Sequence, residues 1–176
     1  PCGFSILEHV WYNPPMKLVA QVKLQPTPEQ AELLKHTLER VNFAANFVSD
    51  TAWHQQSFRQ YDLHKLTYYP VRENFGLSAQ VAVRLIAKVA DAYKLDRKTK
   101  RTFKPHGSIT YDDRILTWKI DKRIVSLWAL GGRIELPFVA GARQLRLLET
   151  RQGEVDLVYR DRQFYLFQTC DVEEPE

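Results

Sequence analysis

Beyond Arg101 the chain consists of short β-rich runs separated by turn residues, and this feature limits the possible folds more than any other. The runs are Ser108–Tyr111, Ile115–Ile120, Arg123–Leu130, Arg133–Phe138, Gln144–Thr150, Glu154–Arg160 and Phe164–Asp171. Turn signals at this spacing, such as Gly131-Gly132 and Gln152-Gly153, predict antiparallel hairpins. Closing the hairpins into a barrel is the most economical arrangement of so many strands. The sequence therefore predicts an antiparallel β-barrel over residues 101–172.

One further strand is predicted near the start of the chain. Leu18, Ala20, Val22 and Leu24 alternate with Val19, Gln21 and Lys23, which is the period-two pattern of a strand buried mainly on one face. The strand stops at Pro26. We expect residues 16–26 to join the barrel. Residues 1–15 precede the only methionine, Met16, and are treated as an extension of uncertain origin.

Residues 27–100 carry helical patterns instead. Thr27, Pro28 and Gln30 form a capping box with proline at the first helical position, so a helix begins there. Its predicted buried stripe is Ala31, Leu34, Leu38, Val41, Ala45, Val48 and Ala52. The span Tyr61–Thr67 is ambiguous, and Pro70–Phe75 can form about two turns before Gly76. Ser78 can cap a last helix that buries Ala82, Leu85, Ile86, Val89 and Tyr93. The predicted class is thus α+β, a barrel with an inserted helical domain.

The charge of the chain is unevenly distributed. The formal net charge is +4, but residues 84–133 hold thirteen Lys/Arg against five Asp/Glu, a local balance of +8. The densest part, Lys94–Lys104, is basic at six of eleven positions: Lys94, Arg97, Lys98, Lys100, Arg101 and Lys104. Such a cluster suits a phosphate backbone, although a solvated lysine-rich face gives the same pattern.

Four aromatic residues lie in or just after this basic segment: Phe103, Tyr111, Trp118 and Trp128. Aromatic side chains beside basic ones can stack on unpaired bases. For Trp118 and Trp128, which lie on predicted strands, we favour the alternative that they fill the barrel core.

Catalytic and metal-binding patterns are not found. The five histidines His9, His36, His54, His64 and His106 lack ligand spacing, so we predict neither a metal site nor a cofactor. Asp112-Asp113 is assigned to a turn. Cys2 and Cys170 are interpreted as free thiols. No membrane span or signal peptide is recognised, so we expect a cytoplasmic protein without a membrane partner.

Four strings in the chain carry a family resemblance. They are Val22–Gln30 (VKLQPTPEQ), Arg40–Asn46 (RVNFAAN), Gly76–Gln80 (GLSAQ) and Gly132–Pro137 (GRIELP). In this order and with these separations they resemble the N-terminal half of the OrfB/TnpB family of transposon-encoded RNA-guided nucleases, relatives of compact type V CRISPR effectors. The match covers essentially Met16 to the end.

The resemblance implies a division of labour along the chain. The strand at 16–26 and the barrel at 101–172 would form a wedge domain, and residues 27–100 would form a recognition domain. Guide RNA and target DNA would be the partners. A RuvC-like nuclease domain holding Mg²⁺ would follow an acidic linker, of which 173–176 would be the start. The present residues would then be catalytically inactive by themselves, because the metal-binding carboxylates belong to that further domain.

The resemblance also implies roles for individual residues. Tyr68, Gln80 and Thr110 would read the DNA that flanks the target, while the basic segment Lys94–Lys104 would contact RNA or DNA backbone. For Tyr68 and Gln80, helix packing and capping are equally open. Two other functions remain possible on the sequence alone: a nuclease-less nucleic-acid-binding regulator derived from the same family, and a protein-interaction module whose basic face is incidental.

Overall fold

A computed structural model describes residues 16–173. The earlier expectations for residues 1–15, including Cys2, and for Glu174–Glu176 lie outside these described residues. Within them the chain forms four α-helices and seven strands. The strands are β1 (Met16–Leu24), β2 (Ile109–Tyr111), β3 (Leu116–Lys119), β4 (Ile124–Ala129), β5 (Gly132–Val139), β6 (Arg151–Arg160) and β7 (Gln163–Val172). The helices are α1 (Pro28–Gln55), α2 (Gln60–Phe75), α3 (Ala79–Leu95) and α4 (Ala142–Leu148).

The seven strands form one antiparallel sheet in the order β2-β6-β7-β1-β5-β4-β3, which curls into a nearly closed barrel. As predicted, β1 joins it, pairing with β7 from Met16 to Lys23. Side chains bridge the two edge strands to the rest of the barrel. The Tyr111 hydroxyl of β2 donates to the Trp128 carbonyl of β4 at 2.7 Å. The Trp118 indole N–H of β3 donates to Gln168 Oε1 of β7 at 2.8 Å.

The predicted strand at Gln144–Thr150 is wrong, because this segment contains α4. Since β5 pairs with β1 only at Lys23 and Leu24, most of that β1 edge has no strand beside it. Helix α4 packs on β1 there, and Gln144 Oε1 accepts the backbone N–H of Gln21 at 2.7 Å. The helix therefore covers this edge in place of a further strand, and its glutamine satisfies one of the backbone N–H groups there.

The predicted capping box of α1 is confirmed. Thr27 Oγ1 accepts the Gln30 N–H at 3.2 Å, and Gln30 Oε1 accepts the Thr27 N–H at 3.1 Å. Of the predicted α1 stripe, all but the half-buried Ala31 are buried, and the five predicted α3 residues are all buried. The ambiguous span before Pro70 and the two turns after it form one helix, α2, with Pro70 inside it.

The buried side chains of α1, α2, α3 and the barrel strands form one hydrophobic cluster. Helices α1 and α3 both contact β2, so they cover the barrel beside its open edge. The connector between α3 and β2, residues 96–108, has no regular secondary structure. It runs along α1 on its way to the barrel, and it contains most of the basic segment.

Candidate nucleic-acid interface

Three polar side chains of α1 hold the connector against the helix. Asn46 Oδ1 accepts the Phe103 N–H at 2.7 Å, and Asn46 Nδ2 donates to the Phe103 carbonyl at 3.0 Å. Asn42 Nδ2 donates to the carbonyls of Pro105 at 3.2 Å and Gly107 at 2.8 Å. The Ser49 hydroxyl donates to the Arg101 carbonyl. The backbone of residues 101–107 is thus fixed by hydrogen bonds to one helix face.

The three residues Asn42, Asn46 and Ser49, here called the connector ladder, were not predicted from the sequence. Asn42, Asn46 and Ser49 are spaced four and three residues apart, so they share one face of α1. Asn42 and Ser49 are buried at 2% and 0% exposure. Buried polar groups of this kind are hydrogen-bonded in nearly every protein. Polar residues recurring beside the apolar stripe were the available signal, but their partners lie more than fifty residues away in the chain.

Half of the six basic residues assigned to backbone binding are ion-paired within the protein. Lys94 Nζ lies 3.2 Å from an Asp91 carboxylate oxygen, Lys100 Nζ lies 2.5 Å from Asp50, and an Arg101 nitrogen lies 3.8 Å from Asp96. All of these side chains are at least 36% exposed, so the pairs are weak and exchangeable. The backbone N–H groups of Lys98 and Thr99 keep the pKa of Asp96 below its ordinary value.

The other three cations have different surroundings. The Arg97 guanidinium lies over the Phe58 ring, 5.7 Å from its centroid. Lys98 and Lys104 are exposed and form no ion pair with any residue between 16 and 173. The basic segment therefore presents exposed cations on a backbone whose second half is fixed to α1.

The four aromatic residues in and after the basic segment are buried or partly buried against the hydrophobic core. Tyr111 is only 1% exposed and cannot stack on a base, so that possibility is wrong for this residue. Trp118 and Trp128 are partly buried against the core, the role favoured from the sequence. Trp118 also packs edge-on against Phe138, with ring centroids 5.2 Å apart. Phe103 is partly buried as well.

Gln80 lies in a polar network between α3 and the β2–β3 turn. Its amide nitrogen donates to an Asp112 carboxylate oxygen, and its Oε1 accepts from the Arg114 guanidinium at 3.2 Å. Arg84 pairs with Asp112 and with Glu154 of β6. Asp112 also accepts the Arg114 backbone N–H at 3.0 Å, which is the turn role predicted for it. Both ends of the Gln80 amide are thus engaged within the protein.

Tyr68 and Thr110, the other two residues assigned to DNA recognition, lie in different surroundings. The Tyr68 ring stacks on His64 with centroids 4.6 Å apart, and the Arg72 guanidinium lies 5.8 Å from its centroid. The half-buried Tyr68 ring also packs against the hydrophobic core, as the helix-packing alternative expects, and its hydroxyl has no hydrogen-bond partner among the described residues. Thr110 donates to Asp156 at 3.0 Å.

Helix α2 also exposes an aromatic and basic stripe that was not predicted from the sequence. Tyr61 and Tyr69 are 70% and 67% exposed. Lys65 Nζ lies 4.5 Å from the Tyr61 ring centroid. Together with Tyr68 and Arg72, these residues recur every three or four positions and share one face. Once α2 is known to be one helix through Pro70, this spacing can be recognised in the sequence.

Metal-ligand geometry is not found in the described part of the chain, where no group of three or more His, Cys, Asp or Glu side chains could hold an ion. His106 pairs instead with Glu39, Nε2 to Oε1 at 2.8 Å, and this contact lowers the Glu39 pKa. Cys170 is a buried free thiol whose pKa is raised by burial. No helix between residues 16 and 173 combines the length and the apolar character needed to cross a membrane.

Comparisons with known proteins give no match, either to a family model or to a curated protein. The resemblance to the OrfB/TnpB family consequently rests on the four strings and the order of the elements. Each string has a structural role in this fold. Val22–Gln30 ends β1 and caps α1, Arg40–Asn46 supplies two residues of the connector ladder, Gly76 ends α2 with a φ of 65°, and Gly132–Pro137 lies in β5.

Proposed function

We propose that this chain is the part of an OrfB/TnpB-type RNA-guided DNA endonuclease that binds the guide RNA and the DNA flanking the target. The proposal rests on the structure of the connector between α3 and β2. The connector displays a dense run of exposed cations, and hydrogen bonds from Asn42, Asn46 and Ser49 fix its second half, which carries Arg101 and Lys104, to α1. A fixed cationic backbone suits phosphate binding, because little chain entropy is lost when a ligand docks.

The expected chemistry of binding is electrostatic. Lys98 and Lys104 would contact phosphates directly and release condensed counterions from the nucleic acid. Lys94, Lys100 and Arg101 would first exchange their exposed carboxylate partners for phosphates. Such exchange is inexpensive, because exposed ion pairs contribute little to stability.

Under this proposal the helices at 27–100 act as the recognition domain, and the strand at 16–26 with the barrel at 101–172 acts as the wedge. The order strand, three helices, barrel supports this assignment. The connector, which joins α3 to β2 and carries Arg97, Lys98, Lys100, Arg101 and Lys104, also supports it.

DNA-flank recognition is proposed for Tyr68, Gln80 and Thr110. The three residues differ in the internal contacts that each would have to break in order to bind DNA. The Tyr68 hydroxyl is unengaged among the described residues, and the helix face around it carries further aromatic and basic side chains. Gln80 would have to exchange Asp112 or Arg114 for a base edge, and Thr110 would have to leave Asp156. Of the three residues, Tyr68 is therefore the one whose polar group can bind DNA without breaking an internal hydrogen bond.

DNA cleavage is assigned to a further RuvC-like nuclease domain, as the resemblance implies. The Mg²⁺ ions of such an enzyme need clustered carboxylates. Between residues 16 and 173, no group of three or more His, Cys, Asp or Glu side chains is arranged to hold an ion. No catalytic step is therefore assigned to them.

The proposal can be tested by identifying the nucleic acid that the protein carries. The chain would be expressed together with its own flanking genomic DNA, purified at low salt, and the bound nucleic acid sequenced. One discrete RNA transcribed from DNA adjoining the gene is the expected result. Enrichment of a duplex DNA operator without RNA would instead favour the nuclease-less regulator, and absence of nucleic acid would contradict both.

A further inference from the structure

An open groove lies between the outer face of α1, the connector and the β4–β5 turn. It has a volume of about 620 Å³. Its lining includes His36, Glu39, Arg40, Phe43, Phe103 and Pro105. Grooves of this size where separate structural parts meet are common ligand sites. We call it the Phe43 groove.

Phe43 contributes an exposed aromatic ring to the groove. Its side chain is 69% exposed, although its neighbours Ala44 and Ala45 are buried. The ring is not loose on the surface, because it packs edge-on against Phe75 of α2 with centroids 5.9 Å apart. Phe75 in turn contacts Phe47, with centroids 5.6 Å apart. A positioned ring with most of its area exposed is a suitable platform for stacking.

The charges around this ring favour an anionic occupant. Arg40 and His36 are exposed on the same face of α1, and Lys104 is exposed between the lining residues Phe103 and Pro105. Arg40 and Lys104 form no ion pair between residues 16 and 173. The single carboxylate of the lining, Glu39, is already bonded to His106 at 2.8 Å.

The polar groups of the groove are poorly placed to read a base edge. The Asn46 amide is used on both sides by Phe103. An Arg40 guanidinium nitrogen donates to the Phe75 carbonyl at 3.0 Å, which holds this side chain near the aromatic cluster. A π-face with cations around it and without free amide groups matches sequence-tolerant binding of single strands.

We propose that the Phe43 groove binds an unpaired nucleotide of single-stranded RNA, with the base stacked on Phe43 and the neighbouring phosphates near Arg40 and Lys104. This inference rests on the proposed function and adds a site to it, because neither the basic segment nor the DNA-flank residues include Phe43. The occupant is single-stranded, since a paired base within a duplex does not expose its face to a side chain.

The test compares Phe43→Leu with Phe43→Tyr in the full chain. The probes are a short labelled oligoadenylate RNA and an abasic ribose-phosphate chain of the same length. Leucine keeps an apolar side chain but cannot stack, so affinity for oligoadenylate is expected to fall roughly 5- to 100-fold. Tyrosine restores stacking and is expected to bind like the parent. Affinity for the abasic chain is expected to stay unchanged in both variants.

Tyr165→Leu is the matched control, since Tyr165 is a half-exposed aromatic residue on β7 that does not line the groove. Its oligoadenylate affinity should equal that of the parent. Equal oligoadenylate binding by parent and Phe43→Leu would overturn the inference while leaving the proposed function intact. An equal loss for the abasic chain would also overturn it, because the effect would then not be stacking. A parent that binds no RNA would overturn both proposals.

Discussion

Asn46 of α1 and Phe103 of the connector exchange two hydrogen bonds, one in each direction between side-chain amide and backbone, at 2.7 Å and 3.0 Å. The two residues are fifty-seven positions apart in the chain. This pair gives the basic segment a defined path along the helix. It also explains the second asparagine of the string Arg40–Asn46 by its structural role.

Replacing Asn46 with alanine should therefore destabilise the protein and release the connector. Two partly buried backbone groups of Phe103 would lose their partners, at a cost of about 1 to 3 kcal/mol in the free energy of unfolding. Denaturant unfolding measures this cost, and hydrogen exchange at the Phe103 amide should accelerate. Glu32→Ala on the exposed side of α1 is the control, with an expected change within about 0.5 kcal/mol. Equal effects of the two variants would contradict the assigned role.

Most of the fold could be predicted from the sequence because its signals are local. The Thr27–Gln30 capping box and the period-two alternation of β1 each depend on neighbours within a few residues. The segment Gln144–Thr150 was misassigned for the opposite reason. Its leucines at 145, 147 and 148 fit a strand or a short helix equally well, and the choice is made by the unpaired β1 edge that Gln144 satisfies.

The candidate site could be predicted only in part. The basic residues of Lys94–Lys104 are visible as composition, but their ion pairs with Asp50, Asp91 and Asp96 depend on how the helices and the connector lie together. Phe43 lies outside the predicted buried stripe of α1, in agreement with its exposure, but its packing against Phe75 of α2 could not be inferred from α1 periodicity. The groove beside Phe43 also depends on the connector residues Phe103 and Pro105, which are distant in the chain.

Tyr111 should give the protein a measurable alkaline sensitivity. Burial raises the pKa of its hydroxyl above the ordinary value of 10.0, so the folded state holds this proton more tightly than the unfolded state. The stabilisation that comes from the buried, neutral Tyr111 hydroxyl is complete below pH 10. It is lost as pH rises above 10, because the unfolded state releases this proton first.

In Tyr111→Phe this alkaline loss should disappear. The variant should be less stable at neutral pH by about 1 to 2 kcal/mol, because the Trp128 carbonyl loses its donor. The difference between parent and variant should then narrow above pH 10, by at most about 1.4 kcal/mol per pH unit. Urea unfolding across this pH range measures it. A difference independent of pH would show that the hydroxyl does not titrate as a buried group.

Lys98 and Lys104 should account for part of the salt dependence of RNA binding, since neither is ion-paired within the described residues. Replacing both with alanine should reduce the slope of log affinity against log salt, each lost phosphate contact removing roughly 0.7 to 0.9. Fluorescence anisotropy at several salt concentrations gives the slope. The double variant Lys17→Ala, Lys23→Ala on β1 removes the same charge elsewhere. Identical slopes in the two double variants would argue against a specific role for the connector.

Tyr68 and Gln80 should affect DNA-flank preference differently. Tyr68→Phe removes a hydroxyl without a partner in the described residues, so the melting temperature should not change while any base contact is lost. Gln80→Ala removes hydrogen bonds to Asp112 and Arg114, so a modest loss of stability should accompany any change in DNA preference. The expected change in preference is on the order of 1 to 3 kcal/mol for one base. Selection from a library of randomised flanks measures preference. Unchanged preference in both variants would remove these residues from recognition.

The most direct test of the central claim is the affinity of the purified chain for structured RNA, compared with duplex DNA of random sequence, over a salt titration. Fluorescence anisotropy with both labelled ligands at equal protein concentrations provides the comparison. The proposed function predicts tighter RNA binding at every salt concentration, with affinity falling as salt rises because phosphate contacts release counterions. Equal affinities for the two nucleic acids, or no binding to RNA at low salt, would contradict it.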